Sequence, residues 1–117
     1  MAVLVSNRDS DNAKSLEEME RKLFQIQRHV FYRELARLIR MRTDRALPDL
    51  IEVLEATEKY PSPVLLSLAK KLREGEASFS SAIREWAPVR DSVILNLVDK
   101  RSCPLEAALD FLVEFPE

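Results

Sequence analysis

The chain has 117 residues, enough for one domain with a modest core, and 46% of them are apolar. It holds a single glycine, so no glycine-rich phosphate or dinucleotide loop can be written. One cysteine and one histidine leave no internal disulfide and too few members for a His/Cys metal site.

No short stretch alternates apolar and polar residues cleanly, and no run of 18 apolar residues occurs. Strands and membrane spans are not expected, and the composition predicts an all-α fold. A lone thiol without a signal peptide points to a reducing compartment. Charge is uneven along the chain. Residues 1–20 carry two basic and five acidic side chains, and residues 21–45 carry eight basic and two acidic ones. The remainder is acidic, and the whole sums to −2.

MAVLV at 1–5 followed by SNRDSDNAKS predicts a flexible leader over 1–14. Ser15 with Glu18 three residues on reads as a capping box. Leu16, Met19, Leu23, Ile26 and Val30 then repeat at 3,4,3,4 spacing, which predicts a helical arm over 15–29. Phe31, Leu35, Leu38 and Ile39 form a new stripe. Two arrangements explain the phase change: a bend near Gln27–His29, or one long helix meeting different neighbours. The core helix is expected to end near Met41–Thr43.

Asp44 is expected to cap a second helix that buries Leu47, Leu50, Ile51 and Leu54 and wets Asp49, Glu52, Glu55 and Glu58. Pro61 and Pro63 break the chain. Ser62 is expected to cap a third helix with stripe Leu65, Leu68, Ala69 and Leu72, stopped at Gly75 in a left-handed conformation. Ser78 opens a short fourth helix to about Trp86. Pro88 resets the chain, and Val89, Val93, Ile94, Leu97 and Val98 predict the buried stripe of a fifth helix. Ser102 is expected to cap a sixth, with Leu105, Ala108, Leu109 and Leu112 inward and Glu106, Asp110 and Glu114 outward. The prediction is a bundle of about six short helices, none stable alone in water, held by packing of their stripes.

These elements carry a family resemblance. FYRELARLI at 31–39, LIEVLE at 50–55, SFSSAI at 78–83 after Gly75, VILNLV at 93–98 after Pro88, and LEAALDFL at 105–112 follow one another in a familiar order. Residues 31–115 resemble the first cytoplasmic domain of the type II secretion system F protein, the inner-membrane platform protein shared with type IV pilus machines. The chain departs from that pattern at two turns, and by one extra residue between Gly75 and Ser78. The glycine before the second helix is replaced by Arg45-Ala46-Leu47, and the G-E-x-S-G turn is Asp99-Lys100-Arg101-Ser102-Cys103, matched only at the serine.

The resemblance implies a bundle domain over 30–117 that precedes a transmembrane helix, on the cytoplasmic side of the bacterial inner membrane. It implies a non-enzymatic scaffold that couples an assembly ATPase to pilin polymerisation. Implied partners are that ATPase, pilin subunits, platform and alignment proteins, and further copies of itself. A stand-alone helical adaptor or secretion chaperone is the alternative, with the 16–30 stripe as its dimer seam.

No catalytic, cofactor-binding or metal-ligating residue is expected. Cys103 beside a helix start could form a nucleophile pair with His29, but a half-buried thiol and a surface histidine are the plainer readings. Asp99, Glu106 and Asp110 could gather a cation, against the plainer reading of a solvated face. Arg33, Arg37 and Arg40 recur at i, i+4, i+7, with Arg28, Arg42 and Arg45 nearby. Arg33, Arg37, Arg40 and Arg45 are the candidate partner-binding residues, for an acidic protein or the anionic leaflet. Nucleic acid is not expected at a sequence pI near 5.6.

Overall fold

Nothing in the first 41 residues stops a helix, for there is neither proline nor glycine among them. In the computed structural model they form one, α1 (Ala2–Met41), which absorbs the segment read as a leader and the arm without a break. The model describes residues 2–75 and 77–116, with side chains from residue 15 onward. The capping box at Ser15 is idle because the helix already runs through it. The long-helix arrangement is the one adopted, and no bend interrupts residues 27–29.

Among the described residues five shorter helices follow: α2 (Leu47–Glu55), α3 (Ser62–Arg73), α4 (Phe79–Ile83), α5 (Val89–Asp99) and α6 (Leu105–Glu114). Among the described residues there is no strand, and the fold is an all-α bundle. α6 lies along α1, α2 pairs with α3, and α4 pairs with α5. One core joins them, built from Phe24, Phe31 and Leu35 of α1, Leu50, Ile51 and Leu54 of α2, Leu65 and Leu68 of α3, Ile83 of α4, Leu95 of α5, and Leu109 and Leu112 of α6. Edge-to-face ring contacts extend it, with Phe31 5.3 Å from Phe24 and 5.5 Å from Tyr60.

The helix starts differ from expectation in a consistent way. Ser78 is a true cap: its hydroxyl accepts from the Ser81 amide at 3.4 Å. Asp44, Ser62 and Ser102 are not caps. The cap positions belong to Ala46, Pro61 and Pro104, and Pro88 caps α5. Proline's fixed φ with an extended ψ supplies the non-helical geometry that a cap needs, and no side-chain bond is required. Ser62 instead donates its hydroxyl to Glu55 of α2.

α5 is rotated from expectation. Val89, Val93 and Leu97, read as core, are 68%, 62% and 44% exposed, while Asp91, Ser92 and Leu95 are buried. The helix is apolar almost all round, so spacing alone cannot choose its inner face. A polar contact described below chooses it.

Among the described residues three take left-handed backbone: Gly75 (φ 69), as its stop position requires, and two non-glycines, Glu58 (φ 60) and Arg101 (φ 59). At the end of α5 the Arg101 amide donates to the Val98 carbonyl at 3.0 Å and the Ser102 amide to Leu97 at 2.9 Å, a paired closure of the helix end. The left-handed position is held by an arginine rather than a glycine, at a steric cost of about 1 kcal/mol. Arg101→Gly is expected to stabilise the fold by about 0.5–1 kcal/mol in urea denaturation, since the side chain is exposed.

Candidate functional site

α1 carries two faces with opposite roles. Phe24, Arg28, Phe31, Tyr32 and Leu35 point into the bundle and are all buried. Arg28, counted from sequence among the surface arginines, lies inside. Its Nε donates to Asp91 Oδ2 at 2.8 Å, and one of its terminal nitrogens donates to the Gln25 carbonyl at 2.7 Å. The Tyr32 hydroxyl donates to the same carboxylate oxygen at 2.7 Å. Burial, with the Asp91 carboxylate adding to it, holds the Tyr32 phenol well above its ordinary titration range. This contact turns Asp91 inward and so sets the rotation of α5.

The signal for this cluster was present in the chain: Arg28 falls between Phe24 and Phe31/Tyr32 on one helical stripe, and Asp91 interrupts an apolar helix. The 3,4,3,4 run from Leu16 to Val30 drew attention to the other face.

That other face looks outward. Leu16, Met19, Leu23, Ile26 and Val30 are between 41% and 78% exposed. The same register continues into the arginine stripe. Arg33 and Arg37 are exposed and, among the described residues, their side chains form no ion pair or hydrogen bond. Arg40 does: it makes a two-pronged contact with Asp110 of α6, one prong at 3.2 Å. Asp110 raises the Arg40 guanidinium further into its charged form. Arg45 lies on the connection to α2, where with Arg42 it rims a recess of about 250 Å³ floored by Ile39, Leu47, Leu50 and Leu105. The structure thus brings Arg33 and Arg37 together on one helix face, puts Arg45 at the corner beyond its end, and ties Arg40 to α6.

Among the described residues, the acidic side chains of α2 do not pair with these arginines. Asp49 and Glu52 of α2 face Arg73 of α3 instead. The acidic residues weighed as a cation cluster divide as well. Asp99 accepts from Ser78 at 2.9 Å and Ser80 at 2.5 Å, while Asp110 faces Arg40. Among the described residues no group of three His, Cys, Asp or Glu side chains could hold a metal ion.

Further contacts pin the arm to the bundle. Arg21 Nε donates to the Glu85 carbonyl at 2.9 Å, and its guanidinium lies 5.4 Å from the Trp86 ring centre. Gln27 donates to the Lys59 carbonyl at 2.7 Å. His29 is half-buried rather than on the surface, edge-on to Tyr32 at 6.5 Å. Cys103 is half-buried in an apolar groove of about 320 Å³ between α5 and α6, beside Ile94, Leu97 and Phe111. The thiol and the imidazole thus have different surroundings.

Among the described residues no helix is long and apolar enough to cross a membrane. Comparison with protein-family models, with curated proteins and with solved structures finds no match to this chain.

Proposed function

We propose that the chain is a non-enzymatic scaffold domain, akin to the first cytoplasmic domain of a secretion-F-type platform protein. In that role it works at the cytoplasmic face of the inner membrane and couples an assembly ATPase to pilin polymerisation or secretion. One observation carries the reading. The five segments that resemble the family fall, in chain order, on the end of α1 and then on α2, α4, α5 and α6, with α3 between the second and third, around one core. The two turns where the chain departs from the family lie between helices and leave that order intact.

The exposed cationic surface fits a docking role. Arg33, Arg37 and Arg45 have no internal carboxylate partner among the described residues, so an acidic partner can meet them without breaking the fold. Arg40 is held by Asp110 and serves the α1–α6 contact. The triple reversal Arg33→Glu, Arg37→Glu, Arg45→Glu is expected to weaken binding to the purified assembly ATPase at least about tenfold with helicity unchanged. Titration calorimetry and circular dichroism measure both. Undiminished binding would remove these residues from the docking surface.

The adaptor reading is second. The outward stripe from Leu16 to Val30 favours it, since a free apolar seam suits a chain that works by pairing helices.

A further inference from the structure

Leu16, Met19, Leu23, Ile26 and Val30 step along α1 with the 3.5-residue mean repeat of a coiled-coil seam. All five are exposed, and the bundle packs on the opposite side of the helix through Phe24, Phe31 and Leu35. Another helix can therefore lie along the stripe without meeting the bundle of its own copy. The segment is helical already and pinned at Arg21 and Gln27. A short seam of about two heptads then need not fold its own helix, which is the main cost that makes short coiled coils weak.

We propose that a second copy of this chain covers the stripe, the two α1 helices running antiparallel. Met19 then packs against Val30 of the second copy, and Leu23 against its Ile26. Charge selects this direction. Each α1 begins acidic, with two basic and five acidic side chains over residues 2–20, and continues basic, with six and one over residues 21–41. Antiparallel pairing lays each acidic half on the other's basic half, and it brings Arg33 level with Leu16 of the second copy, one helical turn from that copy's Glu20. Parallel pairing would instead set Arg33 on Arg33 and Arg37 on Arg37 along the seam. Glu20, on the flank of the stripe one turn after Leu16, also opposes an anionic lipid surface, the other occupant that an apolar and cationic helix face would suit. The inference stands on α1 alone, whether or not the platform reading holds.

Sedimentation velocity of the full chain is expected to show a species of twice 13.5 kDa that dissociates more readily as salt is raised. Leu23→Asp and Ile26→Asp, both at exposed positions, are expected to give monomers with unchanged helicity. For direction, chains carrying Met19→Cys and Val30→Cys, each in a Cys103→Ser background, are mixed in equal amounts and oxidised. The mixed disulfide should predominate. A chain that stays monomeric up to about 100 µM overturns the proposal, as does a dimer indifferent to both aspartates. Predominance of Met19–Met19 and Val30–Val30 disulfides overturns the antiparallel direction. Co-sedimentation of a monomeric wild-type chain with phosphatidylserine vesicles, lost in Ile26→Asp, would reassign the stripe to a lipid surface.

Discussion

Asp91→Ala is expected to destabilise the bundle by about 3–5 kcal/mol, the range for breaking a buried ion pair from one side. The carboxylate is fully enclosed, and its Oδ2 accepts from both Arg28 and Tyr32. Removing it takes the carboxylate from a largely buried guanidinium and the acceptor from a phenol that is fully shielded from water. Asp91→Asn keeps an oxygen in that place while removing the charge, so a smaller loss of about 1–3 kcal/mol is expected. Chemical denaturation of the two variants checks both the size and the order. A loss within about 0.5 kcal/mol for alanine would mean that another contact fixes the rotation of α5.

Leu109→Ala is expected to cost about 2–5 kcal/mol, through lost burial and the cavity left behind. Leu109 is fully buried in α6, the helix that lies along α1, and it shares the core with Leu35 and Leu112. Leu97→Ala is the matched comparison: the same atoms leave a side chain that is 44% exposed. That variant should stay within about 1 kcal/mol of the parent. Equal losses at the two positions would contradict the observed rotation of α5, whose periodicity alone made Leu97 a core residue.

Where apolar spacing singled out one face, the fold was legible in the chain. Leu65, Leu68 and Ala69 in α3 and Ala108, Leu109 and Leu112 in α6 are buried as their stripes require. Gly75 stops α3 in the left-handed conformation that its position demanded. Spacing failed where a helix offered more than one apolar face. α1 presents two, and the cleaner repeat is the outward one. α5 is apolar nearly all round, and its orientation follows from a carboxylate that spacing rules exclude from cores. The meeting of Arg28 and Asp91 spans 63 residues of sequence, a separation that no local pattern encodes. Helix starts failed for a related reason: a proline fixes its own backbone and can open a helix without any hydroxyl bond. Of the candidate surface, the exposure of Arg33, Arg37 and Arg45 followed from their periodicity and context, but the engagement of Arg40 depended on where α6 docks.

The unbroken course of α1 gives the molecule the mechanics of a crankshaft. Its outward stripe and its inward core residues hang on one stiff axle, each residue advancing the azimuth by about 100°. Whatever grips the near end of that axle therefore dictates the heading of all six helices, with no swivel between grip and body. Lengthening the axle by a single residue after Val30 would turn the grip about a quarter revolution relative to the bundle and swing Phe24 and Arg28 out of the core.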